Sequence, residues 1–478
     1  MTNRPVFFAS LAAAAISLVG CAANRPAPEP VLTAQQRALN AQSFDKVWQT
    51  IRDRHWDATL GGVDWDAAKA ELRPKAESAQ TMSQARASMQ ELIGRLKQSH
   101  FGIIPADAYS DSALSSDTGS GSKPAASGKA GATAAKPAPS AAAASNNAAP
   151  VVPADPAEHD GSTGMTIRVV GDDALVTVVR QGSAAYTQGV KPGWIVRSVR
   201  GRPVAPTIAT IRQAMGDKLL LEATLAQTIQ ARLAGPVGES VPVEFVDGQN
   251  RGVQMAITLG PPQGTAGKFG NLPTIYYTFD ANRPAPDIGY IAFSVFLNPA
   301  ELMPQFNKAI DDYRETKGLI IDLRGNIGGI GAMAMGIGGH FVTEPDQKLG
   351  TMITRDTKLN FVLNPRPRPY EGKVAVLIDG LSLSTSEILA GGLQSLKLAR
   401  VFGTRSGGAA LPSTVEILPN GDRFQYAFAN YTNFSGESLE GHGVVPDVVV
   451  APARDALLKG QDPVIQAAID WIRTPAKP

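Results

Sequence analysis

Ser384 stands where an apolar strand, Ala375 to Ile378, has passed through a small hydroxyl-rich turn and gives way to an apolar helix beginning near Ser386-Glu387. A serine hydroxyl there lies at the mouth of a sheet and beside a helix N-terminus, where unpaired backbone N–H groups can hold a developing oxyanion. Such a place favours a nucleophile. A second turn, Asp322-Leu323-Arg324-Gly325-Asn326-Ile327-Gly328-Gly329, also follows a buried strand and precedes a helix. Its glycines permit a tight turn whose N–H groups converge on one spot, which suits an oxyanion or a phosphate. Neither GxxxxGK[ST] nor GxGxxG occurs, so the phosphate reading has no motif behind it. His55, His100, His159, His340 and His442 are the whole histidine supply, and HExxH and paired CxxC motifs are absent. A zinc site therefore has no sequence support, and no metal or other cofactor is expected. Lys397 falls on the helix predicted after Ser384, where a solvated ammonium is expected.

The elements that must carry these turns alternate between strand and helix. Strands are expected at Ile288 to Phe293, Gly318 to Asp322 and Lys373 to Ile378, with helices at Ala300 to Tyr313 and Gly331 to Phe341. That alternation indicates an α/β core, placed at residues 270–478. Upstream, Phe44, Val47, Trp48 and Ile51 fall at helical spacing, as do Met89, Leu92, Ile93 and Leu96, so residues 33–106 read as a helical domain with Asp64 as one helix cap. Residues 107–158 collapse to Ala, Ser, Gly, Pro and Lys and read as a disordered linker, open to proteolytic nicking. Periodicity returns over 159–262, with short strands at Met165 to Val169, Ala174 to Val179, Val241 to Val246 and Val253 to Leu259, and one helix from about Thr207 to Leu233. The chain has 478 residues, 43% of them apolar, and a formal net charge of +2. It is long enough for several domains, and nothing in its charge calls for nucleic acid.

The ordered glycine turns Gln181-Gly182-Ser183-Ala184-Ala185 and Gly189-Val190-Lys191-Pro192-Gly193-Trp194-Ile195-Val196 resemble a PDZ core. By that resemblance the Gly164-Met165-Thr166 loop would offer N–H groups to a peptide C-terminal carboxylate. DLRGNIGG, then SLSTSE, then GHGVVPD at 441–447 together resemble the C-terminal-processing, or tail-specific, serine peptidases and their tricorn-core relatives. The resemblance implies a multidomain α/β protein with a ClpP/crotonase-like peptidase core, a PDZ domain and an N-terminal helical domain. It makes Ser384 the nucleophile, with Thr385 and either Gly328 or Gly329 as oxyanion donors.

One departure redirects the base. In the processing branch a lysine inside a Phe-Gly-Lys-Gly run accepts the serine proton, whereas the matching run here is Ser406-Gly407-Gly408-Ala409, and Ala409 cannot. Leu96-Lys97-Gln98-Ser99-His100-Phe101-Gly102 resembles the Ser-His element of the tricorn-like branch, in which a histidine is the base and a second serine and a glutamate orient it. His100 and Ser99 match that element, and Glu440 matches the glutamate. Imidazole suits base work near neutrality, and a carboxylate-linked hydroxyl can fix its tautomer. His442 is the alternative base, flanked by glycines, and His340 reads as a core histidine.

At the N-terminus, Arg4 and the apolar run Val6 to Val19 read as a signal peptide over residues 1–20, too short for a membrane span. Leu18-Val19-Gly20-Cys21 resembles a bacterial lipobox, so Cys21 is the expected lipidation site, and residues 21–32 form a Pro/Ala tether. The expectation is a lipid-anchored serine endopeptidase of the bacterial envelope, on the periplasmic face of the outer membrane. It would cleave unfolded or C-terminally recognised polypeptides through an acyl-enzyme. A catalytically inactive PDZ adaptor and an apolar-ligand-binding lipoprotein are the rival readings on the same fold.

Overall fold

The computed structural model describes residues 29–106, 161–216, 218 and 220–475. The signal peptide, Cys21, most of the tether and the 107–158 linker lie outside the described residues.

Three helices open the described chain: α1 (Ala34–Arg54), α2 (Trp65–Glu77) and α3 (Met82–Gly94). Thr33 caps α1 by accepting from Gln36 N–H at 3.2 Å, and Asp64 caps α2 by accepting from Ala67 N–H at 2.9 Å. Their apolar faces, with Phe44, Ile51, Leu72 and Leu92 fully buried, do not close on themselves. They share one core with Leu411, Leu418, Phe424 and Tyr426, more than 300 residues downstream. A short strand, β1 (Gly102–Ile104), continues from the helices and pairs antiparallel with β18 (Arg423–Ala427), which in turn pairs with β17 (Ser413–Ile417).

The next unit is a sheet in the order β2-β3-β4-β6-β7. Its members are β2 (Met165–Val170), β3 (Asp173–Val179), β4 (Ile195–Val199), β6 (Ser240–Val246) and β7 (Gly252–Thr258), with β5 (Arg202–Pro203) paired to β4. Between β3 and β4 lies the one-turn α4 (Ala184–Thr187). The single helix expected over 207–233 is two helices, α5 (Ala205–Met215) and α6 (Leu221–Arg232). Positive φ at Gly216 (58°) and Leu220 (71°) ends one helix and restarts the other. A small antiparallel pair, β8 (Thr265–Gly267) and β9 (Ile275–Tyr277), leads to the core.

The core sheet runs β10-β11-β12-β15-β16-β20: β10 (Phe279–Ala285), β11 (Ile288–Phe293), β12 (Gly318–Asp322), β15 (Lys373–Ile378), β16 (Arg400–Gly403) and β20 (Val448–Val449). All neighbours are parallel except β10 with β11. Both faces are covered, which is why β12 and β15 read as unbroken apolar runs. Val374, Val376 and Ile378 face a core with α7 (Pro299–Asp312), α8 (Ala332–Gly338) and α9 (Thr385–Ser395). Ala375 and Leu377 point the other way, onto α11 (Pro463–Arg473), which follows the short α10 (Arg454–Leu458). A second sheet, β14-β13-β19, packs beside α8 and α9 and comprises β13 (Gln347–Thr354), β14 (Lys358–Leu363) and β19 (Ala429–Asn433). The carboxyl ends of β12 and β15 are neighbours, and the two chemically suggestive turns grow from them. Crevices outside the carboxyl ends of parallel strands are where such sheets bind ligands.

Candidate active site

Ser384 is the N-cap of α9, which starts at Thr385, one residue ahead of the expected Ser386, and it has φ 54° and ψ −116°. That conformation is strained for a side chain with a Cβ and persists only where its surroundings hold it. Here they do. Ser384 N–H donates to Ala409 O at 2.8 Å and to Glu387 Oε2 at 3.0 Å. Ser382 Oγ donates to Leu323 O at 2.7 Å, Ser386 Oγ to Asn326 Oδ1 at 2.8 Å and Thr385 Oγ1 to Gly329 O at 2.8 Å. The hydroxyl-rich turn is thus laced onto the glycine turn, which explains its composition. Gly328 has φ 90°, and a Cβ on it would stand 2.6 Å from Ser384 Cβ and 2.9 Å from Thr385 N, so only glycine fits.

The two oxyanion candidates in that turn are not equivalent. Gly328 N–H already donates to Asn326 Oδ1 at 2.9 Å, so it is not free for an oxyanion. Among the described residues, Gly329 N–H and Thr385 N–H have no protein acceptor.

His100 comes from the turn between α3 and β1, with φ 61°. Its Nδ1 lies 2.7 Å from Ser99 Oγ, which also reaches Glu440 Oε2 at 2.8 Å. Glu440 further accepts Ser99 N–H on Oε1 at 2.8 Å and Ala410 N–H on Oε2 at 3.0 Å. A hydroxyl has one proton to give. With the carboxylate ionised, Ser99 donates to Glu440 and accepts from His100 Nδ1–H, which leaves Nε2 as a lone pair. Among the described residues Nε2 has no hydrogen-bond partner. The ring retains some exposure, yet burial lowers its pKa to about 4, so it is neutral at physiological pH. Burial also raises the Glu440 carboxyl above its usual value, against the hydrogen bonds from Ser99 and Ala410.

Segment 406–410 joins the two halves. Ala409 O holds Ser384, and the next residue, Ala410, holds Glu440. A buried carboxylate that the sequence reading left unassigned completes this link. Glu387 accepts Ser406 Oγ at 2.6 Å and Gly408 N–H at 2.7 Å on one oxygen, and Ala409 N–H and Ser384 N–H, each at 3.0 Å, on the other. Burial pushes it up to about 7 despite these donors. The Ser-x-x-Glu spacing of 384–387, a helix-start signature, was the signal that could have singled it out.

Other candidates lie apart. Lys397 is exposed beyond the end of α9 with φ 59°, not on the helix as expected. His442 is exposed, its Nδ1 3.0 Å from Glu440 O. His340 is buried after α8, with Nε2 2.8 Å from Asn307 Oδ1. The 164–166 loop differs from the expectation of free donors. Gly164 N–H goes to Ser162 Oγ at 3.1 Å and Met165 N–H to Thr163 Oγ1 at 3.3 Å, because short hydroxyl side chains two residues back close local turns. The same unit grips the Ser384 turn from outside: Arg168 of β2 pairs with Asp379 at 2.7 Å, and Glu222 of α6 accepts Gly380 N–H at 3.1 Å. Both residues line a cleft of about 1170 Å³ between that unit and the core.

Residues 287–450 match peptidase family S41, and residues 36–94 match the tricorn protease C1 domain. Segment 287–450 is thus similar to the S41 serine peptidases. The S41 match holds Ser384, Glu387 and Glu440, while His100 lies just past the C1 match. The carboxy-terminal-processing protease of Bartonella bacilliformis is 31% identical over 192 residues, covering 38% of this chain and 42% of that protein. Tricorn protease homolog 1 of Streptomyces coelicolor is 23% identical over 453 residues, covering 91% of this chain and 35% of that protein. The chain thus spans less than half the length of these curated relatives. In fold it is similar to mature CPAF complexed with lactacystin (TM-score 0.56, 12% identity, covering 92% and 98% of the two chains). It is also similar to the photosystem II D1 C-terminal processing protease (TM-score 0.50, 16% identity, covering 89% and 95%).

Proposed function

We propose that this protein is a serine endopeptidase in which His100, not a lysine, activates Ser384. The observation that carries the reading is Ser99 Oγ set between His100 Nδ1 and Glu440, which directs the lone pair of Nε2 outward for base work. His100 Nε2 takes the Ser384 hydroxyl proton as Oγ attacks a peptide carbonyl. Thr385 N–H and Gly329 N–H hold the oxyanion. Collapse breaks the C–N bond, and His100 returns the proton to the departing amine. Water, deprotonated by the same imidazole, then attacks the ester, the acyl C–Oγ bond breaks, and His100 returns the proton to Ser384 Oγ as the acid leaves. Throughout, Glu440 through Ser99 stabilises the imidazolium.

The substrates in this reading are unfolded polypeptides. Recognition of their C-termini by the β2–β7 unit requires the local bonds at Gly164 and Met165 to yield. The Leu18-Val19-Gly20-Cys21 sequence supports a lipid-anchored place in the bacterial envelope. Incubating an unfolded polypeptide with wild type and Ser384→Ala tests the reading: fragments from the first and none from the second are expected. Equal fragmentation, or none from either, would contradict it.

A further inference from the structure

We propose that His55 is a positioning residue for the base: through Gln98 it fixes the turn that aims His100. The inference rests on the role of His100 proposed above. Within the turn, Lys97 has φ 54° and His100 has φ 61°. Neither is glycine, and each such conformation costs about 1–3 kcal/mol unless its surroundings impose it. Glu440 restrains the turn at Ser99. The restraint on the preceding residue is His55, whose Nε2 lies 2.9 Å from Gln98 Oε1.

His55 is held firmly for that contact. It is fully buried at the C-cap of α1, its ring stacked on Trp56 (5.5 Å, 26°) and Phe101 (5.7 Å, 20°), the residue after His100. Nδ1 lies 2.9 Å from Asp57 O and 3.0 Å from Asp57 N, and Nε2 faces Gln98 Oε1, so both ring nitrogens are engaged. The backbone of His55 is itself referenced to segment 287–450. Arg355, in the β13–β14 turn, donates from Nε to His55 O at 2.9 Å and from Nη2 to Arg52 O at 2.8 Å. The base turn is therefore tied to segment 287–450 twice, by Glu440 at Ser99 and by Arg355 and His55 at Gln98. A base held by one tie can swing; two ties on adjacent residues fix its direction. Misplacing a reacting group by about 1 Å can cost about 10²-fold in rate.

The test compares His55→Phe, which keeps a stacking ring but has no Nε2, with Gln98→Leu and the double variant. Ester hydrolysis gives kcat and KM, and thermal melting reports folding. Each single variant is expected to lose about 10- to 10²-fold in kcat with little change in KM, and the double variant to lose no more than the worse single. A role in packing alone would lower the melting temperature of His55→Phe and leave Gln98→Leu active. Gln98 is partly exposed, so its variant keeps the question decidable if His55→Phe does not fold. Wild-type kcat in Gln98→Leu, or additive losses in the double variant, would overturn this inference alone. No turnover by wild type would overturn it together with the proposed function.

Discussion

Ser99 and Glu440 are 341 positions apart in the chain and 2.8 Å apart in space. Each is held twice by the other, through Ser99 N–H and Ser99 Oγ, and that double contact sets the tautomer of the neighbouring imidazole. Glu440→Gln keeps the shape but puts an amide donor within reach of Ser99 Oγ, which can turn the hydroxyl proton toward Nδ1 and disfavour the productive tautomer. Ser99→Ala removes the bridge. Both variants are expected to fold and to lose about 10²- to 10⁴-fold in kcat, measured on an ester or peptide substrate.

Two of the perturbed groups at the site, His100 and Glu387, predict an unusual pH profile. His100 titrates at about 4, so acid protonates Nε2 and abolishes base catalysis only near that value, not at the ordinary 6.5. Glu387 titrates at about 7, and its protonation takes acceptor capacity from Ser384 N–H and Ala409 N–H. A midpoint near 7 in kcat is expected, and it is expected to vanish from the residual activity of Glu387→Gln. The same depression of His100 affects stability. Between 6.5 and 4 the unfolded chain binds the proton and the native one does not, so stability falls with falling pH across that window, by about 3 kcal/mol in full. Denaturant melts of wild type and His100→Gln at stepped pH measure the difference.

Glu387→Gln itself is expected to cost about 10²-fold in kcat at neutral pH. Its amide offers one acceptor oxygen where four donors converge on two, so Ser384 loses part of what holds its strained backbone. Kinetics alongside thermal melting separate this loss from unfolding.

Docking of the helices onto segment 287–450 links Ser99, beside His100, through Glu440 and Ala410 to Ala409, which holds Ser384. Fully buried Asp422 accepts from Arg86 of α3 at 2.8 Å and from Ala106 N–H at 2.8 Å. Asp422→Ala is expected to destabilise the protein by about 3–5 kcal/mol, since it strips a buried ion pair of one partner. Chemical denaturation measures it. Lys397→Ala, at an exposed position away from all these contacts, is expected to retain wild-type kcat in the same hydrolysis assay.

Much of this was legible in the chain because local rules and the site agreed. The place of Ser384 between an apolar strand and an apolar helix was readable from the residues alone, and the structure has it as the N-cap of α9 after β15. Long-range terms were illegible. The three residues of β1 carry no period, and their strand exists only because β18 is there to pair with. The break between α5 and α6 turned on Leu220 taking a left-handed conformation that its residue type does not favour. Gly164 looked like a carboxylate cradle, but Ser162 and Thr163 had already closed the turn. His55 carried no signal at all, since its meaning lies in where Gln98 and Arg355 come to rest.

The central claim, that Ser384 draws its reactivity from His100, is tested most directly by labelling with a fluorophosphonate and mapping the adduct by mass spectrometry. Wild type is expected to carry the adduct on Ser384, His100→Ala to be labelled at least about 10²-fold more slowly, and Lys397→Ala to match wild type. Undiminished labelling of Ser384 in His100→Ala would contradict the account.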